Sequence, residues 1–317
     1  MRNRNAESTP SKQVSDFYCS DLSRQAGEAI FGTAPRVDVW FLLEYNGLWQ
    51  KKAFEQSDLP APTRQALSAY FDAVPNSRLL LISQQHPSVA PERSRLYVAF
   101  AAERDPTLYR FDLASYEDVL SLDVTAMRSG APVYQVARCA EPLFLVCTNG
   151  ERDRCCARAG LPVYRALAQA VGGAAWQCTH VGGHRYAANV LCFPHGVYYG
   201  YVGTEDVGPL VETYRRGRVI LPNYRGRSCY RREVQAAEYF LRAETGIADL
   251  EAFRLVSVER SDDNGWTVTF EAQEDGVRHR IHGQTDPAAL LNYLSCGEAE
   301  PAPVPQYRLI GHERMTD

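Results

Sequence analysis

Residues 142–178 read PLFLVCTNGERDRCCARAGLPVYRALAQAVGGAAWQC. The first six form a short apolar run suited to a buried strand, and Thr148 to Arg154 is polar and charged, as a loop leaving a strand end would be. Pro162 suits the first position of a helix. Val163, Leu167, Ala170 and Val171 then follow helical spacing, and Gly172-Gly173 stops it. Ala175 to Cys178 is a second strand, so the stretch predicts a β-α-β unit. Further on, Ala187–Phe193 and Val197–Val202 predict a hairpin across Pro194-His195-Gly196, and residues 205–216 and 231–244 predict two helices, the second ending at Gly246. The order β-α-β-β-β-α is compatible with a thioredoxin-like α+β fold over residues 131–245.

The same reading extends to both sides. Val37 to Glu44 is a buried strand stopped by Asn46-Gly47, residues 63–74 put Leu67, Tyr70, Phe71 and Val74 on one helical stripe, and Leu79–Ser83 and Leu96–Ala101 are two more strands. An N-terminal α/β unit is therefore expected over residues 16–130, behind a polar, mobile tail over residues 1–15. Phe41-Leu-Leu-Glu-Tyr-Asn-Gly47 echoes Phe144-Leu-Val-Cys-Thr-Asn-Gly150, with Glu44 where Cys147 stands. If the echo marks a repeat, the first unit is a related fold without the thiol. Residues 246–317 predict a small three-stranded β-meander, a short helix with Asp286 as N-cap and Pro287 in first position, and an extended tail from Gly297.

The 317 residues are 45% hydrophobic and 23% charged, which excludes disordered, collagenous and coiled-coil classes. A formal net charge of -4 gives no overall reason to approach nucleic acid or anionic lipid. Neither a signal peptide nor a membrane span is apparent, so a cytoplasmic protein is expected. Of the nine cysteines, Cys139, Cys147, Cys155, Cys156 and Cys178 crowd into one stretch, which in a reducing compartment points to a metal, a cluster or redox chemistry.

Cys147 and Cys156 bracket the polar loop, and His180 and His184 follow with three residues between them. Two soft thiolates and two neutral imidazoles at strand ends form a ligand set for zinc or for an iron-sulfur cluster. Gly182 and Gly183 let the second segment fold tightly around a bulky inorganic group, and Gly150 does the same for the first. Asp153 and Arg185 are the charged neighbours of the set. The adjacent pair Cys155-Cys156 reads as one ligand beside a core thiol, since vicinal cysteines bridge only with strain. Cys139, Cys178, Cys192, Cys229 and Cys296 are expected in the core, and the sequence assigns no role to Cys19. Tyr224-Arg-Gly-Arg227 reads as a solvated basic loop or a dock for an acidic electron donor. His195 is expected to be a turn residue, and His279 and His282 surface residues.

The runs Cys147-Thr-Asn-Gly-Glu-Arg-Asp-Arg-Cys-Cys-Ala-Arg158 and Trp176-Gln-Cys-Thr-His-Val-Gly-Gly-His-Arg-Tyr-Ala-Ala188 resemble the signature segments of the sucrase/ferredoxin-like family. So do Cys19-Ser-Asp-Leu22, Gly32-Thr-Ala-Pro35, Phe193-Pro-His-Gly-Val-Tyr-Tyr-Gly200, Tyr224-Arg-Gly-Arg227 and Gln235-Ala-Ala-Glu238. The resemblance implies a thioredoxin-like ferredoxin with one [2Fe-2S] cluster, Cys147 and Cys156 on one iron and His180 and His184 on the other, with Cys155 the alternative to Cys156 by one residue of register. It implies electron transfer with a redox partner protein or a small-molecule donor or acceptor, and reduction coupled to proton uptake at the imidazoles. A zinc-stabilised Cys2His2 binding or scaffold protein is the alternative. A reductase acting on a second substrate is a third reading, weakened by the lack of a Gly-x-Gly-x-x-Gly fingerprint.

Overall fold

The computed structural model describes residues 17–84 and 94–315, so the tail expected over residues 1–15 lies outside the described residues. The chain runs α1 (Cys19–Gln25), β1 (Val39–Glu44), α2 (Ala61–Asp72), β2 (Ser77–Ser83), β3 (Ser94–Phe100), β4 (Thr107–Leu113), α3 (Val124–Arg128), β5 (Leu143–Cys147), α4 (Arg154–Val171) and β6 (Ala175–Cys178). It continues through β7 (Val190–Phe193), β8 (Val197–Tyr199), α5 (Val207–Arg215), β9 (Tyr224–Arg227), α6 (Arg232–Thr245), β10 (Phe253–Arg260), β11 (Gly265–Ala272), β12 (Arg278–Asn292) and β13 (Ala302–Met315). No helix among the described residues is long and apolar enough to cross a membrane.

The fold is α+β. Its main sheet has the strand order β4-β3-β1-β2-β6-β5-β7-β8-β9 among the described residues. In each half a fully buried strand, β1 or β5, pairs in parallel with the strand after its helix and antiparallel with the next one. The sequence echo falls in matching positions: Phe41 faces Leu79 and Val98, while Phe144 faces Ala175 and Cys192. Glu44 faces Ile82 just as Cys147 faces Cys178. The halves meet where β2 and β6 pair antiparallel, with Ile82 opposite Cys178, so the topology repeats about that pair. The N-terminal unit and the thiol-bearing unit thus share one sheet. A core of Trp40, Leu42, Ile82, Leu145, Trp176, Phe193 and Tyr198 runs across the junction. Burying such side chains, at about 1.5–3 kcal/mol each for the aliphatic ones, holds the two halves in fixed register.

Three expectations are corrected. The helix after β5 begins at Arg154, not Pro162, because Asp153 caps it by accepting a bond from the Cys155 amide at 2.9 Å. Pro162 lies inside the helix at an exposed position, while Cys155, Cys156, Gly160, Val163 and Leu167 are buried. The first half carries a fourth strand, β4, whose Arg110 and Asp112 break the apolar signal. Beyond α6 there is no helix at Asp286. Its carboxylate accepts from Ala288 N at 3.1 Å inside an irregularity of β12, and the proline-bearing tail forms β13 on the outer edge of a four-stranded sheet, β10-β11-β12-β13. Proline is accepted there because an edge strand needs donors on one side only.

Candidate metal centre

Cys147 ends β5, and the loop 148–153 returns the chain to α4, whose first turn carries Cys155 and Cys156. Successive helical residues point about 100° apart, so the two adjacent cysteines face different surroundings. Cys156 turns inward, where its sulfur, that of Cys147 and a ring nitrogen of His180 lie within 4.8 Å of one another. Cys156 Sγ is 4.0 Å from His180 Nδ1. Cys155 turns the other way, toward Cys19 and Cys296. The short loop is pinned by Gly160 of α4, where an added Cβ would stand 2.3 Å from the Cys147 carbonyl oxygen.

His180 and His184 follow β6, their ring centroids 4.9 Å apart. The turn between them needs its glycines. Gly182 has φ +92° and Gly183 φ +72°, and a Cβ on Gly183 would meet Arg225 and Tyr186. Two arginines hold the loop by its carbonyls: Arg78 donates to His180 O at 2.7 Å and Val181 O at 3.1 Å, and Arg225 donates to Gly182 O at 3.1 Å. Arg225 also donates to Asn189 Oδ1 at 2.6 Å and Thr33 O at 2.8 Å.

These contacts correct the reading of Tyr224-Arg-Gly-Arg227 as a solvated loop. It is strand β9, and Arg225 and Arg227 are each only 1% exposed. Runs of arginine are usually surface features, so periodicity alone concealed both roles; Arg78 carried no motif at all. Arg185 turns from the histidines to Glu28, 2.7 Å away. Gly150 closes against Ala157, where a Cβ would come within 2.8 Å.

Electrostatics set the protonation of the group. A hydrogen bond from the Cys156 thiol holds Cys147 well below the ordinary thiol range, and the same contact holds Cys156 above it. A proton on this pair is thus favoured on Cys156 over Cys147, which makes Cys147 the readier anionic ligand. Burial keeps Cys178 protonated, as befits a core thiol. Burial also lowers His184, favouring the neutral ring. Its Nε2 lies 3.7 Å from an Asp153 oxygen and the Leu294 backbone supports the ring, but neither ring nitrogen makes a hydrogen bond of full geometry among the described residues. A shielded imidazole held by weak contacts keeps a lone pair available to a metal. The donor atoms of Cys147, Cys156 and His180 converge and the His184 ring stands beside them, outside that group of three; two thiols and two imidazoles are a set that fits a thiophilic metal centre.

Elsewhere, His195 bonds Tyr214 Oη through Nδ1 at 2.8 Å, in the turn where it was expected. His279 is buried, not on the surface, with its Nδ1 2.9 Å from His312 Nε2, while His282 bonds Thr267 Oγ1 at 2.9 Å. Cys296 does not belong to the main cores. With Cys19 and Cys155 it forms a separate buried group beside Asp153.

A family model described as sucrase/ferredoxin-like matches residues 30–226. The chain is also similar to the altered inheritance of mitochondria protein 32 of Meyerozyma guilliermondii, 38% identical over 97 residues, which cover 27% of this chain and 34% of that relative. It therefore spans about a third of the relative's length. No solved structure matches the chain significantly.

Proposed function

The chain belongs to the sucrase/ferredoxin-like family, and from that premise we propose that it is an electron-transfer protein whose [2Fe-2S] cluster is held by Cys147, Cys156, His180 and His184. The observation that carries the reading is the His184 ring, largely shielded from solvent and favoured in its neutral form, with its centroid 4.9 Å from that of His180, whose ring nitrogen converges with the sulfurs of Cys147 and Cys156. When bound, such a cluster supplies one-electron transfer, at a potential raised by replacing two anionic thiolates with neutral imidazoles.

The chain's own residues do the rest. Cys147 and Cys156 supply anionic sulfur from a strand end and a helix N-terminus, where the helix dipole favours thiolate. Arg78 and Arg225 fix the histidine loop through its carbonyls, so both rings are held in place before binding. The second nitrogen of each imidazole is the place where reduction couples to proton uptake. His180 borders a cleft of about 360 Å³ lined by Lys51, Lys52, Arg78 and Arg152 against Glu55 and Asp72. This excess of cations suits an acidic redox partner protein or an anionic small-molecule donor. The thiols suit a reducing compartment such as the cytoplasm.

A zinc ion on Cys147, Cys156 and His180 is the second reading, favoured by the tight approach of those three ligand atoms to one another. The test is the visible spectrum of anaerobically purified full-length protein, before and after dithionite, with iron, sulfide and zinc assayed on the same sample. About two irons and two sulfides per chain, with colour that bleaches, support the cluster. A colourless protein in which zinc occupies these residues and cluster reconstitution fails would overturn it.

A further inference from the structure

Cys19 opens α1, Cys155 lies in the first turn of α4, and Cys296 follows β12, yet their sulfurs converge. Cys19 Sγ is 3.6 Å from Cys155 Sγ and 3.7 Å from Cys296 Sγ, and Cys155 Sγ is 3.3 Å from Cys296 Sγ. These separations are far beyond the roughly 2.05 Å of a disulfide. They lie close to the edge of about 3.8 Å that a tetrahedron with 2.3 Å zinc–sulfur bonds requires. Both Asp153 carboxylate oxygens stand 4.0 Å from Cys19 Sγ. Cys19 and Cys155 are fully buried, Asp153 is 5% exposed and Cys296 8%.

Hydrophobic packing alone gives no reason to gather three thiols around a buried carboxylate. Two donors already point at the sulfurs: Cys19 N donates to Cys296 Sγ at 3.4 Å, and Ser20 Oγ donates to Cys155 Sγ at 3.2 Å. Asp153 is held in place by donors from Cys155 N at 2.9 Å, Cys296 N at 2.9 Å and Ser295 Oγ at 3.1 Å. Cys155 also sits at the N-terminus of an 18-residue helix, where the dipole favours negative charge.

We propose that Cys19, Cys155, Cys296 and Asp153 form a second, structural metal site that binds one zinc ion. The ion would fasten the first helix and the C-terminal sheet to the start of α4, next to Cys156. It offsets the cost of burying the Asp153 carboxylate and adds metal-binding energy to the folded state. The site adjoins the one assigned above, Asp153 lying 3.7 Å from His184, but shares no ligand with it and stands whether that one holds iron or zinc.

Zinc and iron are to be counted by elemental mass spectrometry on the full chain, expressed with both metals supplied and purified anaerobically. About one zinc per chain is expected at the new site. The pair Cys147→Ser/Cys156→Ser should keep that zinc while losing metal at the other centre; Cys19→Ser/Cys296→Ser should lose it at least about tenfold while keeping the other metal. Because the second variant could fail to fold, zinc K-edge absorption on the wild-type chain provides an independent arm. Three sulfurs at about 2.3 Å and one oxygen at about 2.0 Å support the site. A wild-type chain without zinc, a zinc shell of two sulfurs and two nitrogens only, or full zinc retention in the Cys19→Ser/Cys296→Ser variant would each overturn it.

Discussion

The two halves of the main sheet share one strand plan but differ in what leaves the central strand. After β5 the chain spends only residues 148–153 before α4, so Cys156 returns beside Cys147. After β1 it spends residues 45–60 before α2, and the position of Cys147 is taken by Glu44, whose carboxylate accepts from Arg95 N at 3.1 Å. Burial raises the affinity of Glu44 for its proton, with Arg95 opposing. The helix that follows begins Ala61-Pro-Thr, without a thiol. The strand framework is therefore permissive, and the candidate metal ligands are gathered by a short, capped strand-to-helix return combined with an arginine-held histidine loop.

That contrast can be broken most severely at the ligands. Cys156→Ser should reduce iron per chain on the order of tenfold or more, whereas Cys155→Ser should leave it in place, as iron assay and visible absorption will report. Next in size is Arg225→Ala, which removes a buried cation from Asn189, Gly182 and Thr33. It should cost about 1–3 kcal/mol in urea unfolding for each buried acceptor left unpaired. His195 gives a pH test of the two β-turns. Burial pushes it from 6.5 down to about 4 in the folded chain, so between those values the unfolded chain holds the extra proton. Its contribution is intact above pH 6.5 and is lost as the pH falls toward 4, by up to about 3 kcal/mol. His195→Gln should flatten the fall in Tm over that window. Substituting Asp105, whose side chain is 83% exposed in the matching turn of the first half, should not.

Smaller effects sharpen the comparison. Gly160→Ala presses a methyl group on the Cys147 carbonyl and should cost about 1–3 kcal/mol, with a parallel fall in iron content. Glu44→Cys should leave metal content unchanged, since no second thiol returns to meet it. A gain of metal there would show that the thiol position alone, without the short return, is sufficient.

The parts legible in the sequence were those with strong local signals. The apolar runs at Val39–Glu44 and Leu143–Cys147 and the helical stripe through Leu67 and Phe71 encode their own burial. The echo between them marks a true correspondence of register. Misreadings arose where one residue type serves two purposes. Pro162 resembles a helix start yet lies inside α4, and Asp286-Pro287 resembles a cap yet bends a strand. Arg225 and Arg227 are charged, and that concealed a buried strand. The meeting of Cys19, Cys155 and Cys296 could not be read locally, because 277 positions separate the first from the last. Only tertiary packing makes them neighbours.

Ligation by both cysteine and histidine in the second half of the sheet is visible to pulsed electron paramagnetic resonance of the dithionite-reduced, histidine-¹⁵N-labelled protein. Two distinct histidine nitrogen couplings are expected, one lost in His180→Cys and the other in His184→Cys. A reduced cluster without histidine coupling, or a signal unchanged by either substitution, would contradict that ligation.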